Sequence, residues 1–254
     1  MAEEKYYFKT KDFAVGYEGK SVVSDINIGI RKGEILTLVG PNGSGKSTFL
    51  KSIIRQLDPV AGVCVLDDKA LMEMDKKQLA KNMSIVLTAR IQTELMSVRD
   101  VVESGRHPYT GYFGRLDEHD REVVEESIRL IGIEELADKD FMKISDGQRQ
   151  RVMLARAIAQ EPEVIVLDEP TSFLDIRYKL EFLSTLYKLS REKKLTVIMS
   201  LHEVELARNI SDKVLCFKNG AIDRFGDAKD VMSEDYIFHL FDIDKKNINV
   251  TLLQ

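Results

Sequence analysis

The sequence predicts an α/β fold with a mostly parallel sheet, an N-terminal antiparallel β portion and an inserted helical lobe. Three observations point there. Short apolar runs at 34–39, 83–87, 164–169 and Thr196–Ser200 have the length and composition of buried strands. Segments of helical period separate them, and strands alternating with helices argue for parallel pairing. From about 90 to 160 the alternation stops, and helix patterns follow one another.

In chain order, the residues up to about 30 alternate in places, as in Val22-Val23-Ser24-Asp25-Ile26-Asn27-Ile28, with Tyr17-Glu18-Gly19-Lys20 as a turn. The run at 34–39 leads into a glycine-rich loop. Beyond it Leu50, Ile53, Ile54 and Leu57 fall at helical spacing. In the middle, a polar loop is expected around Gly105-Arg106-His107-Pro108-Tyr109. A helix is expected from 117 to 131, stopped by Gly132, and a second from about 147 to 160. Two short strands at about 213–217 and 221–225 close the core. One domain spans 1–254, with a core at about 1–89 and 161–254 and the lobe at about 90–160.

Composition excludes several classes. The 254 residues carry a net charge of −5, with the basic residues dispersed, so no nucleic-acid footprint is visible. No apolar run approaches membrane-spanning length, and Met-Ala-Glu-Glu-Lys is not a signal segment. Cys64 and Cys216 each sit in a strand-like apolar run and read as buried free thiols in a reducing compartment.

The run Gly40-Pro41-Asn42-Gly43-Ser44-Gly45-Lys46-Ser47-Thr48 matches G-x-x-x-x-G-K-[ST] between a strand and a helix. Glycines let backbone N–H groups close around phosphate oxygens, and the helix N-terminus adds its positive end. Lys46 would reach the outer phosphates and Ser47 would ligate Mg²⁺, which implies ATP as the ligand. Asp168 and Glu169 end an apolar strand. Asp168 is placed to hold Mg²⁺ and Glu169 to orient or deprotonate water; alone, the pair is equally a solvent-facing strand end. Ser145 and Gln148, in Ile144-Ser145-Asp146-Gly147-Gln148, have capping-box spacing. That marks a well-capped helix start, and a helix start bearing a serine and a glycine is also able to cradle a phosphate.

With these motifs in this order, the chain resembles the nucleotide-binding subunits of ABC transporters from Tyr17 to about Val250. Ser145, Gly147 and Gln148 match the L-S-G-G-Q signature, with Ile144 and Asp146 departing from it. Ser172-Phe173-Leu174-Asp175 resembles the D-loop, His202 the switch histidine, and Tyr17 the aromatic that stacks on adenine. The resemblance implies a P-loop NTPase (RecA-like) core and a homodimer that sandwiches two ATP molecules, each between one P-loop and the partner's signature run. It also implies permease subunits docked between core and lobe near 88–110, an indirect link to a substrate-binding protein, and a place on the cytoplasmic face of the membrane. Where the family has a glutamine that contacts Mg²⁺ and water, Thr88 stands here, with Gln92 four residues on; either is a candidate. The run Ser104-Gly105-Arg106-His107-Pro108-Tyr109, followed by Gly114-Arg115-Leu116, is similar to the importer ATPases for iron-siderophore complexes, haem and cobalamin. Two alternatives stay open: a soluble ABC ATPase outside transport, such as a cluster-assembly ATPase, and a P-loop kinase of small molecules.

Overall fold

The computed structural model describes residues 5–87, 95–111, 114–172 and 174–244. Strands β1 (Phe8–Tyr17) and β2 (Lys20–Ile30) form an antiparallel hairpin closed at Tyr17 and Lys20. Its turn places Glu18 and Gly19 at positive φ (49° and 76°). Next come β3 (Ile35–Val39), α1 (Lys46–Ile53), β4 (Ala61–Leu66) and the short β5 (Lys69–Ala70). β4 pairs antiparallel with β1, so the N-terminal β portion is as expected. After α2 (Lys76–Asn82) and β6 (Met83–Val86) the helical insert supplies α3 (Val98–Glu103), α4 (Glu118–Ile131) and α5 (Asp146–Ala159). The chain then returns through β7 (Val164–Leu167), α6 (Ile176–Glu192), β8 (Thr196–Ser200) and α7 (Val204–Ile210). It finishes, among the described residues, with β9 (Lys213–Lys218), β10 (Ala221–Asp227), α8 (Ala228–Val231) and α9 (Glu234–Leu240).

The central sheet runs β10-β9-β3-β8-β7-β6, parallel from β9 to β6, with β10 antiparallel at the edge. Both faces are covered, as parallel sheets require. Ile35, Ile165, Leu167, Val197 and Met199 pack toward α6, α7 and the helical insert. Their strand neighbours Leu36, Leu38, Val166 and Ile198 pack toward α1 and the N-terminal sheet. This two-sided burial is why the strands read as continuous apolar runs rather than alternating ones. Cys64 and Cys216 are buried free thiols, and burial pushes the Cys216 thiol up to about 11.

Two expectations need correction. The helical spacing of Leu50, Ile53, Ile54 and Leu57 promised a longer helix, but α1 stops at Ile53. Arg55 turns left-handed (φ 58°), its N–H bonds Ser52 O at 3.1 Å, and Gln56 N–H bonds Lys51 O at 2.9 Å. That is a Schellman ending with arginine where glycine is usual. The Arg55 guanidinium offsets the strain by donating to Leu71 O (3.1 Å) and Met74 O (2.5 Å). The polar loop expected around 105–109 instead opens with a 3-10 turn over Ser104–Arg106 and is anchored inward, Arg106 being 1% exposed while His107 stays exposed. Arg106 donates to Asp120 (2.8 Å), Ala159 O (2.8 Å) and Glu161 (2.7 Å), and its guanidinium lies 4.0 Å from the Tyr109 ring centroid. Arg106 thus ties the ends of α3, α4 and α5 together. The helix at 117–131 begins at Glu118 behind an Asp117–Asp120 capping box, and Gly132 (φ 66°) ends it. The next helix begins at Asp146.

Candidate functional site

The site grows from the C-terminal ends of β3, β7 and β8, adjacent in the sheet. β3 delivers the glycine-rich loop. A Cβ on Gly40 (φ 150°) would stand 2.2 Å from Phe217 O, and one on Gly45 (φ 110°) would stand 2.3 Å from Val23 Cγ2. No other residue lets the loop curl this tightly against the sheet. α1 opens without a side-chain cap, since its N-cap is Gly45. The N–H groups of its first turn therefore present a positive end to an anion. Lys46 is 5% exposed and donates from Nζ to Gly40 O (2.7 Å) and Pro41 O (3.0 Å). Burial lowers the Lys46 pKa; Glu169 and Asp168 act the other way, and the balance stays below the ordinary value. The buried Ser44 hydroxyl has no hydrogen-bond partner among the described residues. A cradle walled by glycines, a lysine and an unpaired hydroxyl fits a triphosphate.

Beyond β7, Asp168 accepts from the Ser47 hydroxyl at 3.3 Å and the Ser200 hydroxyl at 2.8 Å. Paired carboxylate and hydroxyl oxygens are the donor set a hard cation such as Mg²⁺ takes. Glu169 sits at φ 47°, a region that costs a non-glycine residue about 1–3 kcal/mol and recurs at functional centres. Its Oε1 lies 2.6 Å from His202 Nε2 and its Oε2 accepts from the Ser172 hydroxyl at 3.3 Å. Tyr17, 47% exposed at the end of β1, brings its hydroxyl within 3.5 Å of Thr48 Oγ1. The fold thus brings Tyr17, Lys46, Ser47, Asp168, Glu169 and His202 to one end of the sheet, with Pro41, Asn42 and Gly43 in the loop between.

The residues at 145–148 belong to another part of the molecule, the start of α5. The Ser145 hydroxyl accepts from Gln148 N–H (3.3 Å), and the Gln148 side-chain oxygen accepts from Ser145 N–H (3.0 Å). This capping box uses acceptor oxygens and leaves the Ser145 O–H and the Gln148 amide protons as donors. Gly147 faces Leu174 and Tyr178, so the helix start packs beside the segment that follows Ser172. Asp146, the departure from the signature, pairs with Arg149 at 3.0 Å. Arg149 also donates to Phe141 O (3.3 Å) and Met142 O (2.9 Å), fastening the incoming chain to the helix. Thr88 and Gln92 lie outside the described residues, as does Phe173.

Two polar residues at the site were not anticipated. Ser200 accepts the Glu169 N–H at 2.8 Å while donating to Asp168. Glu203 accepts from the buried Thr171 hydroxyl (3.2 Å) and pairs with Lys179 of α6, linking the His202 turn to the segment after Glu169. The Glu203 carboxyl feels burial raising its pKa, but Lys179 prevails and holds it below the usual range. A serine closing an otherwise apolar buried strand was the available signal for Ser200.

A glycine cradle at a helix start, flanked by a strand-end aspartate and a histidine-bonded glutamate, defines an ATP-binding P-loop ATPase. The sequence profile of the ABC transporter family matches residues 23–172, and the chain belongs to that family as one of its ATP-hydrolysing, ATP-binding proteins. An uncharacterized ABC transporter ATP-binding protein of Methanocaldococcus jannaschii is 46% identical over 239 residues, covering 94% of this chain and 82% of the relative. The iron(3+)-hydroxamate import ATP-binding protein of Bacillus subtilis is 38% identical over 235 residues, covering 92% and 87%. Among solved structures, an inward-facing ABC transporter assigned to the metal-chelate type superposes with TM-score 0.83 at 27% identity, covering 94% of this chain and 90% of that one. A dimeric post-hydrolysis ATP-binding cassette bound to ADP and Pi gives TM-score 0.76 at 27% identity, covering 87% and 99%.

Proposed function

We propose that this chain powers an importer of iron complexes, siderophore or haem, or of cobalamin, from the cytoplasmic face of the membrane. The observation that carries the hydrolytic half of this reading is the Glu169–His202 contact of 2.6 Å at the mouth of the glycine loop. The cargo half leans on the iron-hydroxamate relative and on the run at 104–109. In this reading two copies of the chain, each a core at about 1–89 and 161–254 with a lobe at about 90–160, close on two ATP molecules. Tyr17 stacks on the adenine. The loop from Gly40 to Thr48 and Lys46 hold the phosphates, and Ser145, Gly147 and Gln148 of the second copy donate to the γ-phosphate from the opposite side. Ser47 and Asp168 would hold Mg²⁺, with Thr88 or Gln92 as a further contact. Held there, the ion would neutralise charge on the transferred phosphoryl group. Glu169 takes the proton of the attacking water. His202 holds the Glu169 carboxylate and senses the γ-phosphate.

The permease, coupled to a substrate-binding protein, docks between core and lobe. A cavity of about 540 Å³ lies between residues of the core and α5 of the lobe, with Arg55, Asp58, Lys76 and Arg156 in its lining. No described helix is long and apolar enough to cross a membrane. The test is Glu169→Gln. Hydrolysis falls at least about 100-fold, the scale of a lost general base, while ATP still binds and holds the dimer. Near-wild-type turnover removes Glu169 from this role. Uptake of radiolabelled iron chelates and cobalamin in a deletion strain decides the cargo, and unchanged uptake of all of them sinks the import reading.

A further inference from the structure

We propose that Ser200 is the positioning residue of the hydrolytic centre, orienting the Asp168 carboxylate with its proton and fixing the Glu169 backbone with its oxygen. This rests on the roles given above to Asp168 and Glu169.

Ser200 closes β8, between β3 and β7 in the sheet, and is fully buried. Its direction of hydrogen bonding is not a matter of choice. A backbone N–H only donates and an ionised carboxylate only accepts. The hydroxyl oxygen must therefore take the Glu169 N–H, and its proton must go to Asp168 Oδ1, each at 2.8 Å. One hydroxyl thereby joins two consecutive acidic residues with different tasks. The Ser47 hydroxyl reaches the same Oδ1 at 3.3 Å, so the rotation of the Asp168 carboxylate is set from both sides.

The second bond falls at the point of backbone strain. Glu169 holds φ 47°, and a residue in that region persists only where its surroundings over-determine it. The Ser200 oxygen anchors that peptide N–H directly. His202 follows Ser200 by two residues on the same chain segment and meets Glu169 Oε1 at 2.6 Å. The end of β8 thus supplies both the anchor of the Glu169 backbone and the partner of its carboxylate. Alanine at 200 would leave the Glu169 N–H without its acceptor and remove a donor from Asp168. The binding loop at 40–48 would keep every contact described for it.

The experiment compares Ser200→Ala, Ser200→Thr and Glu169→Gln in the full-length protein. Turnover is measured against ATP and against Mg²⁺, binding of a fluorescent ATP analogue gives Kd, and Mn²⁺ affinity with ATP present is read by electron paramagnetic resonance. Ser200→Ala is expected to lower kcat at least tenfold and weaken Mn²⁺ at least threefold, with KM and Kd within twofold and melting still cooperative. Ser200→Thr, which keeps the hydroxyl, recovers most of the kcat. If Ser200→Ala does not fold, Ser200→Cys gives the same readouts with the volume kept and the donor weakened. A kcat within twofold of wild type overturns the proposal. So does a loss in which KM, Kd and kcat worsen together and threonine rescues nothing. If Glu169→Gln is inactive while Ser200→Ala is normal, only the Ser200 proposal falls. If Glu169→Gln retains turnover, the reading of the site falls and takes this proposal with it.

Discussion

Two helices of this chain begin at residues expected to meet phosphate, and they begin in opposite ways. α1 starts behind Gly45 at φ 110°, with no side-chain cap. α5 starts behind Ser145 with a complete capping box, and an acid, Asp146, occupies its first turn. The first opening is left electrically unfinished and is walled by Lys46, Asp168 and Glu169. The second is stable by itself, its acceptors used and its donors left over. A helix start that needs an anion and one that only tolerates an anion make different demands on a partner molecule. In the proposed dimer, α1 holds the nucleotide in each chain and α5 meets it only on closure.

The comparison can be broken, starting with the largest effect. Lys46→Ala should abolish detectable ATP binding, because the buried charge that answers the phosphates is gone. Nucleotide binding by fluorescence checks this, and retained affinity would mean that the α1 start does not carry the phosphates. Mixing a Lys46→Ala chain with a Gly147→Asp chain, each inactive alone, should restore turnover, since one site of the mixed dimer keeps both halves. No recovery would place both lesions in one chain's site. Ser145→Ala should cost about 1 kcal/mol of stability as a lost N-cap. A denaturant titration reads this, and no change would mean the box is not what holds the helix start. Asp146→Gly should barely move stability, because a half-exposed ion pair is worth about 0–1 kcal/mol. It should strengthen ATP-driven dimer formation a few-fold by removing a negative charge beside the incoming phosphate; weaker dimers would reverse the role assigned to Asp146.

The lobe that carries α5 has its own pH signature. Burial alone would raise the Asp120 carboxyl, but the Arg106 guanidinium and the capping hydrogen bond outweigh it and hold the group below the usual carboxylate range. Its stabilising contribution is therefore present above the unfolded value of about 3.9 and is lost as pH falls through the lower folded value. Asp120→Asn should lower stability near neutrality and converge with wild type in acid. Parallel curves at all pH values would contradict the pairing.

Much of the fold was legible because its signals are local. Strand period, the Ser145 cap and the Gly132 stop act within a few residues of themselves. Tertiary contacts overrode such signals twice. Arg55 ends α1 early because Leu71 O and Met74 O, brought there by β4 and β5, accept from its guanidinium. Arg106 is buried because Asp120 and Glu161 arrive from two other elements to neutralise it. Neither partner set lies within helical reach in sequence, so no periodicity could reveal it. The same holds at the site, where Ser200 and Glu203 act across the sheet.

The chain by itself showed the glycine loop at 40–48 between a strand and a helix, the acids after β7, the histidine after β8 and the capped start at 145, because each is a short-range pattern; the order of the motifs, rather than any one of them, gave the acids and the histidine their reading. It gave a nucleoside triphosphate as the ligand through the loop, and ATP through the resemblance that the later motifs carry. The tertiary structure decided that Ser47 meets Asp168, that Glu169 meets His202, that Ser200 bonds both acids, and that Arg106 of the polar run at 104–109 is an internal tie. Those outcomes depend on which strands lie side by side, and parallel neighbours in this sheet come from segments up to about 177 residues apart along the chain, as in Leu36 beside Lys213.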